Sequence, residues 1–418
     1  MHCARKTTPL RRYLAPRLRE ALADTPAVLI HGPRQSGKTT LARLVGEPRG
    51  YRYVSFDDEA VQGAARRDPI GFVEGLAPRT ILDEVQRVPE IFTSLKAAID
   101  RRRTAGRFIL TGSANVLLVP KLADSLAGRM GILRLHPLAQ CELIGKRPRF
   151  IEALFRGGFR TRITDRLGPA LAEHIVGGGY PAALVKRTAA RRRAWYRDLV
   201  ETQIQRDVRD VARIHSLDAL PRLLAITASH TARLLNVSDL AAPFQMTRQT
   251  IHDYVTVLER IFLLDRLPPW YSNRLSRLVK AAKLHMGDTG LACALLGIDA
   301  VALHRDRDRL GPLLETFVLQ ELKRQASWYP EPVDFFHYRD RDDFEVDIVL
   351  ERGSTTVAGV EVKAAASVND ADFRGLRKLR EAAGRRFAAG VVLYDGTAAT
   401  PFGDNLFAVP LRSLWEDS

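Results

Sequence analysis

The stretch Ala27–Leu44, AVLIHGPRQSGKTTLARL, constrains this chain more than any other part of it. An apolar run, Ala27–Ile30, leads into a loop, His31–Gly37, and a helix-forming segment begins at Lys38. The loop fits G-x-x-x-x-G-K-[ST] through Gly32, Gly37, Lys38 and Thr39. Glycine reaches backbone angles closed to other residues, so successive N–H groups can turn toward phosphate oxygens. The helix that follows adds the positive end of its dipole. Such a cradle suits a nucleotide polyphosphate. The candidate binding residues are Gly32, Pro33, Arg34, Gln35, Ser36, Gly37, Lys38, Thr39 and Thr40. Lys38 would reach the β- and γ-phosphates, and the Thr39 hydroxyl would serve Mg²⁺.

The rest of the chain is consistent with a soluble, cytoplasmic protein. Of its 418 residues, 46% are hydrophobic and 27% charged, enough for a sizeable core in about two or three domains. No apolar run approaches the roughly 18 residues of a membrane span. Cys3, Cys141 and Cys293 are too dispersed for a disulfide framework or a zinc site, which fits a reducing compartment. The net charge of +16 is carried mostly by arginine and points to an anionic partner, with DNA the natural candidate. An Arg-rich solvated surface is the alternative. Residues 1–24 read as a basic amphipathic helix packed ahead of the first strand.

Residues 25–145 alternate strand and helix patterns, which predicts a parallel sheet. The strands are expected at Ala27–His31, Tyr51–Phe56, Thr80–Asp83, Arg107–Thr111 and Ile132–Leu135, and helices at Lys38–Val45, Ala60–Arg67 and Ile91–Arg102. At the end of the third strand stand Asp83 and Glu84, where α/β sheets bind ligands. Asp83 is suited to hold Mg²⁺, directly or through water, and Glu84 to polarise the water that attacks a γ-phosphate. The segment RFILTGSANVLL ends a further strand with Thr111, Ser113 and Asn115, which can sense that phosphate or cap a helix. Ser113 is the preferred sensor. Arg129, after a glycine, is either an arginine finger, in cis or across a homo-oligomer, or a surface residue.

Residues 146–215 should be helical, broken at Gly177–Gly179, with a basic run around Trp195 and Tyr196 that either meets nucleic acid or is solvated. Residues 216–272 read as three helices and an extended pair, a winged helix-turn-helix. Thr247 caps its last helix, Ile251, Tyr254, Val255 and Leu258 face inward, and Arg248, Gln249, Thr250 and His252 sit at its exposed start. A helix of this kind places its first residues in a DNA groove or docks a protein partner.

In 273–418, His304–Leu310 reads as an exposed charged loop and Leu313–Gln325 as an amphipathic helix. Residues 335–365 have the rhythm of a hairpin and a third strand. Asp347 and Glu361 fall on that pair, and the Glu361-x-Lys363 spacing puts both side chains on one strand face. With Glu315 on the preceding helix, these residues could bind a second Mg²⁺ or a Mn²⁺ and act on a phosphodiester. A salt bridge between Asp347 and Lys363, or a domain kept only for binding, would use the same residues.

Two resemblances follow from these motifs. HGPRQSGKTTL, FDDE at 56–59, LDEVQRVPE, LTGSAN, LAGRM, HPLAQCE, GGYP at 178–181 and the late EVD and EVK segments resemble, in order, the AAA+ ATPases that carry an AAA_14 domain followed by DUF4143. That resemblance implies ATP and Mg²⁺, ATPase activity and a DNA-processing or regulatory setting. The Glu315, Asp347, Glu361-x-Lys363 layout resembles the PD-(D/E)xK nuclease fold, with Val346 in place of the usual proline. The expected fold is therefore α/β. It comprises a P-loop AAA+-like parallel-sheet domain, a helical and winged-helix middle, and a C-terminal restriction-endonuclease-like α/β domain.

Overall fold

The computed structural model describes residues 10–112, 128–211, 217–244, 246–272 and 281–416. The chain divides into two compact units, Met1–Leu138 and Ala139–Ser418. No helix among the described residues is long and apolar enough to cross a membrane.

The first unit is built on a parallel sheet. Its strands are β1 (Ala27–His31), β2 (Arg52–Ser55), β3 (Thr80–Asp83), β4 (Phe108–Gly112) and β5 (Met130–Arg134), in the order β2-β3-β4-β1-β5. Around it lie α1 (Ala15–Asp24), α2 (Lys38–Gly46), α3 (Glu59–Arg67), α4 (Pro69–Glu74) and α5 (Ile91–Arg101). β1, β3 and β4 are buried at every position, so each reads as an unbroken apolar run rather than an alternating one. Alternation then sorts their side chains to opposite faces. Leu29, Leu82 and Leu110 pack with Phe92, Leu95 and Ile99, while Val28, Ile30, Ile81 and Ile109 pack with Leu18, Leu41 and Val45.

The strands and three of the helices fall within two residues of the expected bounds. The short α4 escaped notice because it spans only one or two turns. Pro69 opens it, and the Asp68 side chain caps it by accepting from the Gly71 N–H.

The second unit begins helically, with α6 (Pro169–Gly177), α7 (Ala189–Val211) and α8 (Ala219–Ser229), and a short strand β6 (Arg162–Ile163) ahead of them. Next come β7 (Arg233–Leu234), α9 (Val237–Ala241), α10 (Arg248–Arg260), β8 (Leu264–Leu267) and β9 (Lys283–Met286). The three strands form an antiparallel sheet in the order β7-β9-β8. Asn236 caps α9 and Thr247 caps α10. Ile251, Tyr254, Val255 and Leu258 are buried, while Arg248, Gln249 and His252 are exposed and Thr250 half-buried.

α11 (Thr289–Leu296) and α12 (Arg307–Ala326) lead to a seven-stranded sheet. Its further strands are β10 (Val333–Arg339), β11 (Glu345–Arg352), β12 (Thr356–Lys363), β13 (Phe387–Tyr394), β14 (Ala398–Pro401) and β15 (Leu406–Pro410). The order is β10-β11-β12-β13-β15-β14-β6. β10, β11 and β12 are antiparallel neighbours, and β12, β13 and β15 run parallel. α13 (Arg374–Ala383) lies between β12 and β13 in sequence and packs Leu376 and Leu379 on the sheet with Trp270, Val346 and Val392.

One expectation is corrected. His304–Leu310 is not a loop: one helix ends at Arg305, and the Asp306 side chain caps α12 by accepting from the Arg309 N–H. Alternating acids and bases look like a solvated loop, yet a capping Asp at the right spot makes them a helix junction. Within the basic run, Tyr196 faces inward. It is buried, and its hydroxyl donates to the Gly177 carbonyl at 3.1 Å or the Asp288 carboxylate at 3.0 Å.

Asp288 centres a buried polar network. It accepts from the Gly179 N–H at 2.8 Å and pairs with Arg324 at 3.1 Å, while Arg324 also holds Glu321 at 2.6 Å. Glu321 accepts from the Gln140 N–H at 2.9 Å. Gly178 sits at φ +66°, and a side chain there would run into Asp288 and the Tyr196 hydroxyl, which explains the first glycine of GGYP. Arg324 and Asp288 are 2% and 0% exposed, so removing either partner strands a buried charge. Arg324→Met should therefore cost about 3–5 kcal/mol. Urea unfolding should report this as a lowered midpoint for the second unit's transition.

Candidate functional site

At the C-terminal end of β1 the chain turns through three left-handed residues, Gly32 (φ +147°), Gln35 (φ +57°) and Gly37 (φ +98°). A Cβ at Gly32 would strike the Leu135 carbonyl, and Gly37 is the N-cap of α2, so both positions demand glycine. Inside the loop, Lys38 is 4% exposed and donates to the Gly32 and Pro33 carbonyls at 3.0 and 2.8 Å. The Ser36 hydroxyl donates to the Pro33 carbonyl at 2.9 Å. The lysine ammonium is thus already held in the concavity of the loop. Arg34 is half-buried, and Gln35 and Thr40 are exposed.

Arg12 fastens this loop from behind. Its guanidinium donates to the Ser36 carbonyl at 2.7 Å and to the His136 carbonyl at 2.6 Å. One rigid fork therefore ties the loop to the segment after β5. Nothing in the basic run around residue 12 distinguishes it as sequence.

Asp83, 4% exposed at the end of β3, is a hydrogen-bond hub. It accepts from Thr39 Oγ1 at 2.8 and 3.1 Å, from the Tyr53 hydroxyl at 2.8 Å, and from Thr111 Oγ1. A hydroxyl and a carboxylate are the hard oxygen donors Mg²⁺ prefers, so Thr39 and Asp83 fit that ion as its holders. Glu84 follows in a left-handed conformation (φ +57°), a strain of about 1–2 kcal/mol for a residue with a Cβ. Its N–H donates to Thr111 Oγ1 at 3.2 Å, and Gln86 Nε2 donates to its carboxylate. Thr111 thereby ties Asp83 and Glu84 together. Tyr53 and Gln86 were not singled out from the sequence: each stands in an ordinary strand or turn pattern, and only the sheet order brings Tyr53 to Asp83.

Beside the loop, burial first and then the charges of Arg134 and Lys38 lower the pKa of His31 to about 4. The imidazole is therefore neutral at physiological pH. Ser113 and Asn115 lie outside the described residues. Arg129 precedes β5, at the sheet end opposite the loop, and its guanidinium is held by Asp100 at 2.6 and 3.1 Å. That position takes it away from the phosphate cradle of its own chain.

In the second unit, the structure brings Glu315 (α12), Asp347 (β11) and Glu361 (β12) into one region and adds Lys283, which the sequence reading missed. Lys283 Nζ lies 2.9 Å from Glu315, 3.3 Å from Asp347 and 2.5 Å from Glu345. Burial alone would discharge this amine, but Asp347, Glu315 and Glu345 outweigh it and raise its pKa. Burial, then Asp347, pushes the Glu361 carboxyl up to about 8, while Lys363 at 3.0 Å opposes the rise. Asp347 thus pairs with Lys283 rather than Lys363, and it also accepts from the Val362 N–H at 2.9 Å. Among the described residues no group of three or more His, Cys, Asp or Glu side chains is arranged to hold a metal. Two of the acids expected to hold a second Mg²⁺ or Mn²⁺, Glu315 and Asp347, pair with the Lys283 ammonium. The signal was hidden because Lys283 lies far from the EVD and EVK segments in sequence.

A parallel sheet with a phosphate loop on β1 and an acidic pair on β3 defines a P-loop ATPase-type domain, and sequence comparisons agree. Residues 24–144 match the AAA domain family AAA_14, 168–302 a domain of unknown function, DUF8612, and 310–414 another, DUF4143. The uncharacterized protein Rv2008c of Mycobacterium tuberculosis is 30% identical over 408 residues, covering 97% of this chain and 84% of that protein. The chain belongs to this family of AAA-domain proteins with a C-terminal DUF4143 domain. Among solved structures, the Walker-type ATPase PABY2304 of Pyrococcus abyssi is 14% identical with a TM-score of 0.46, over 70% of this chain and 97% of that one. The RuvB Holliday junction branch migration motor of Thermotoga maritima is 19% identical with a TM-score of 0.29, over 61% and 89%.

The Arg12 fork makes a specific prediction. Arg12→Ala should weaken nucleotide binding roughly tenfold, the scale of a net charge-assisted hydrogen bond. Titration with a fluorescent nucleotide analogue should read this, with the circular dichroism spectrum unchanged.

Proposed function

We propose that the protein binds ATP with Mg²⁺ at residues 32–40 and hydrolyses it. The observation that carries this reading is the Thr39 hydroxyl bonded to Asp83 at 2.8 Å, with Glu84 next in the chain. A metal-holding pair and a candidate base thus meet at the C-terminal ends of parallel strands, where such folds bind ligands. Mg²⁺ would neutralise charge on the phosphates. Lys38 contacts the β- and γ-phosphates, Glu84 takes the proton of the attacking water, and Ser113 senses the γ-phosphate. Arg129, turned away from its own cradle, serves as a finger only across a homo-oligomer.

ATP turnover is coupled, in this reading, to DNA. The order α8-β7-α9-α10-β8-β9 with its antiparallel sheet supports a winged helix, and the exposed Arg248, Gln249 and His252, with Thr250, start its last helix. The order α12-β10-β11-β12-α13-β13 supports a restriction-endonuclease-like core. Glu315 on α12, Asp347 on β11 and Glu361 with Lys363 on β12 support that reading. The dispersed cysteines support a cytoplasmic location. A nucleotide-switched regulator that docks a protein, with an inert nuclease-like domain, is the competing reading, favoured by the Lys283 ammonium among the carboxylates.

Lys38→Ala should abolish ATP binding, whereas Glu84→Gln should keep it and slow turnover by about 10²–10⁴. Calorimetry and a phosphate-release assay separate the two, and ATP affinity retained by Lys38→Ala would defeat the assignment. For the DNA part, Arg248→Glu should lower duplex affinity and the salt slope by about one phosphate contact. Wild-type protein that neither binds DNA nor turns over ATP faster with it would leave the protein-docking reading.

A further inference from the structure

We infer that Lys283 is a built-in cation that fills the acidic cluster of the C-terminal domain in place of a divalent metal. The inference is independent of the ATPase reading, since it concerns residues of the second unit alone.

Its basis is geometric. β9 delivers a side chain only 4% exposed to a point 2.9 Å from Glu315 and 3.3 Å from Asp347, and Glu345 closes on it at 2.5 Å. Glu315 and Asp347 are themselves only 12% and 14% exposed, so little water screens them. Carboxylates gathered this closely repel one another and need a positive charge among them. A divalent ion would supply it, but Mg²⁺ demands oxygens at about 2.0–2.1 Å, and here a nitrogen sits at the point of convergence. Lys283 supplies the charge permanently, because it is covalently part of the chain.

The surroundings fit this role. His285, fully buried on the same strand, faces Thr316 at 3.1 Å and lies 3.9 Å from Glu315. Burial and the neighbouring Lys283 hold it neutral, so it does not compete as the counter-charge. Asp347 takes a second anchor from the Val362 N–H at 2.9 Å, and Lys363 is engaged by Glu361 at 3.0 Å. The carboxylates are therefore already ordered around the ammonium. Lys283 also belongs to the antiparallel sheet β7-β9-β8, so the same ion pair fastens that sheet to the C-terminal domain.

The test titrates Mn²⁺ into nucleotide-free, full-length protein and follows free Mn²⁺ by electron paramagnetic resonance. Wild type should show no binding that Asp347→Asn removes. Lys283→Ala should gain one Mn²⁺ per chain, and adding Asp347→Asn should abolish it. Mn²⁺ should raise the melting temperature of Lys283→Ala by more than that of wild type or of Lys283→Ala with Asp347→Asn. Two results overturn the inference: an Asp347-dependent Mn²⁺ on wild type, or a cooperatively folded Lys283→Ala that binds none. If Lys283→Ala fails to fold, Lys283→Gln takes its place. Should both fail, the wild-type arm decides, because Asp347-dependent Mn²⁺ there overturns the inference and its absence upholds it.

Discussion

The first unit depends on one carboxylate. Asp83 gathers hydroxyls from Thr39 on α2, Tyr53 on β2 and Thr111 on β4, and so locks three elements to the end of β3. A nearly buried carboxylate without donors would be costly, so each hydroxyl both satisfies it and is positioned by it. The insertion of β4 between β1 and β3 makes this possible, because it sets Thr111 beside both the loop strand and the acidic strand. Glu84 takes its strained backbone angle immediately after this anchor, where the structure over-determines the chain.

The second unit faces the desolvation problem twice and answers it the same way. Arg324 sets a positive charge between Asp288 and Glu321 beneath the GGYP turn, and Lys283 sets one among Glu315, Asp347 and Glu345. Neither cluster promises much net stability, since burying ions costs nearly what pairing returns. Each does fix geometry. The first holds α6, α7, α11 and α12 in register, and the second joins the small antiparallel sheet to the larger one.

The fold of the first unit was legible because β1, β3 and β4 are fully buried and α2, α3 and α5 span at least two turns, so apolar runs and helical periodicity mark them plainly. α4 and the Asp306 junction were not, because short helices depend on single capping residues. At the candidate sites, Gly32–Thr39 and Asp83–Glu84 are contiguous and could be read as strings. Arg12, Tyr53 and Lys283 could not, since each reaches its partners across 24, 30 and 64 residues of chain.

The sequence by itself determined the phosphate loop, the acidic strand end and the carboxylate layout of the last domain, because each is a local pattern of backbone freedom and side-chain alternation. The tertiary structure decided which charges meet. It turned Arg129 onto Asp100 and buried Tyr196 against Asp288. It also set an ammonium among acids that spacing alone would have offered to a metal. Ion pairs and hydrogen bonds act through distance in space, and no distance along the chain reveals them.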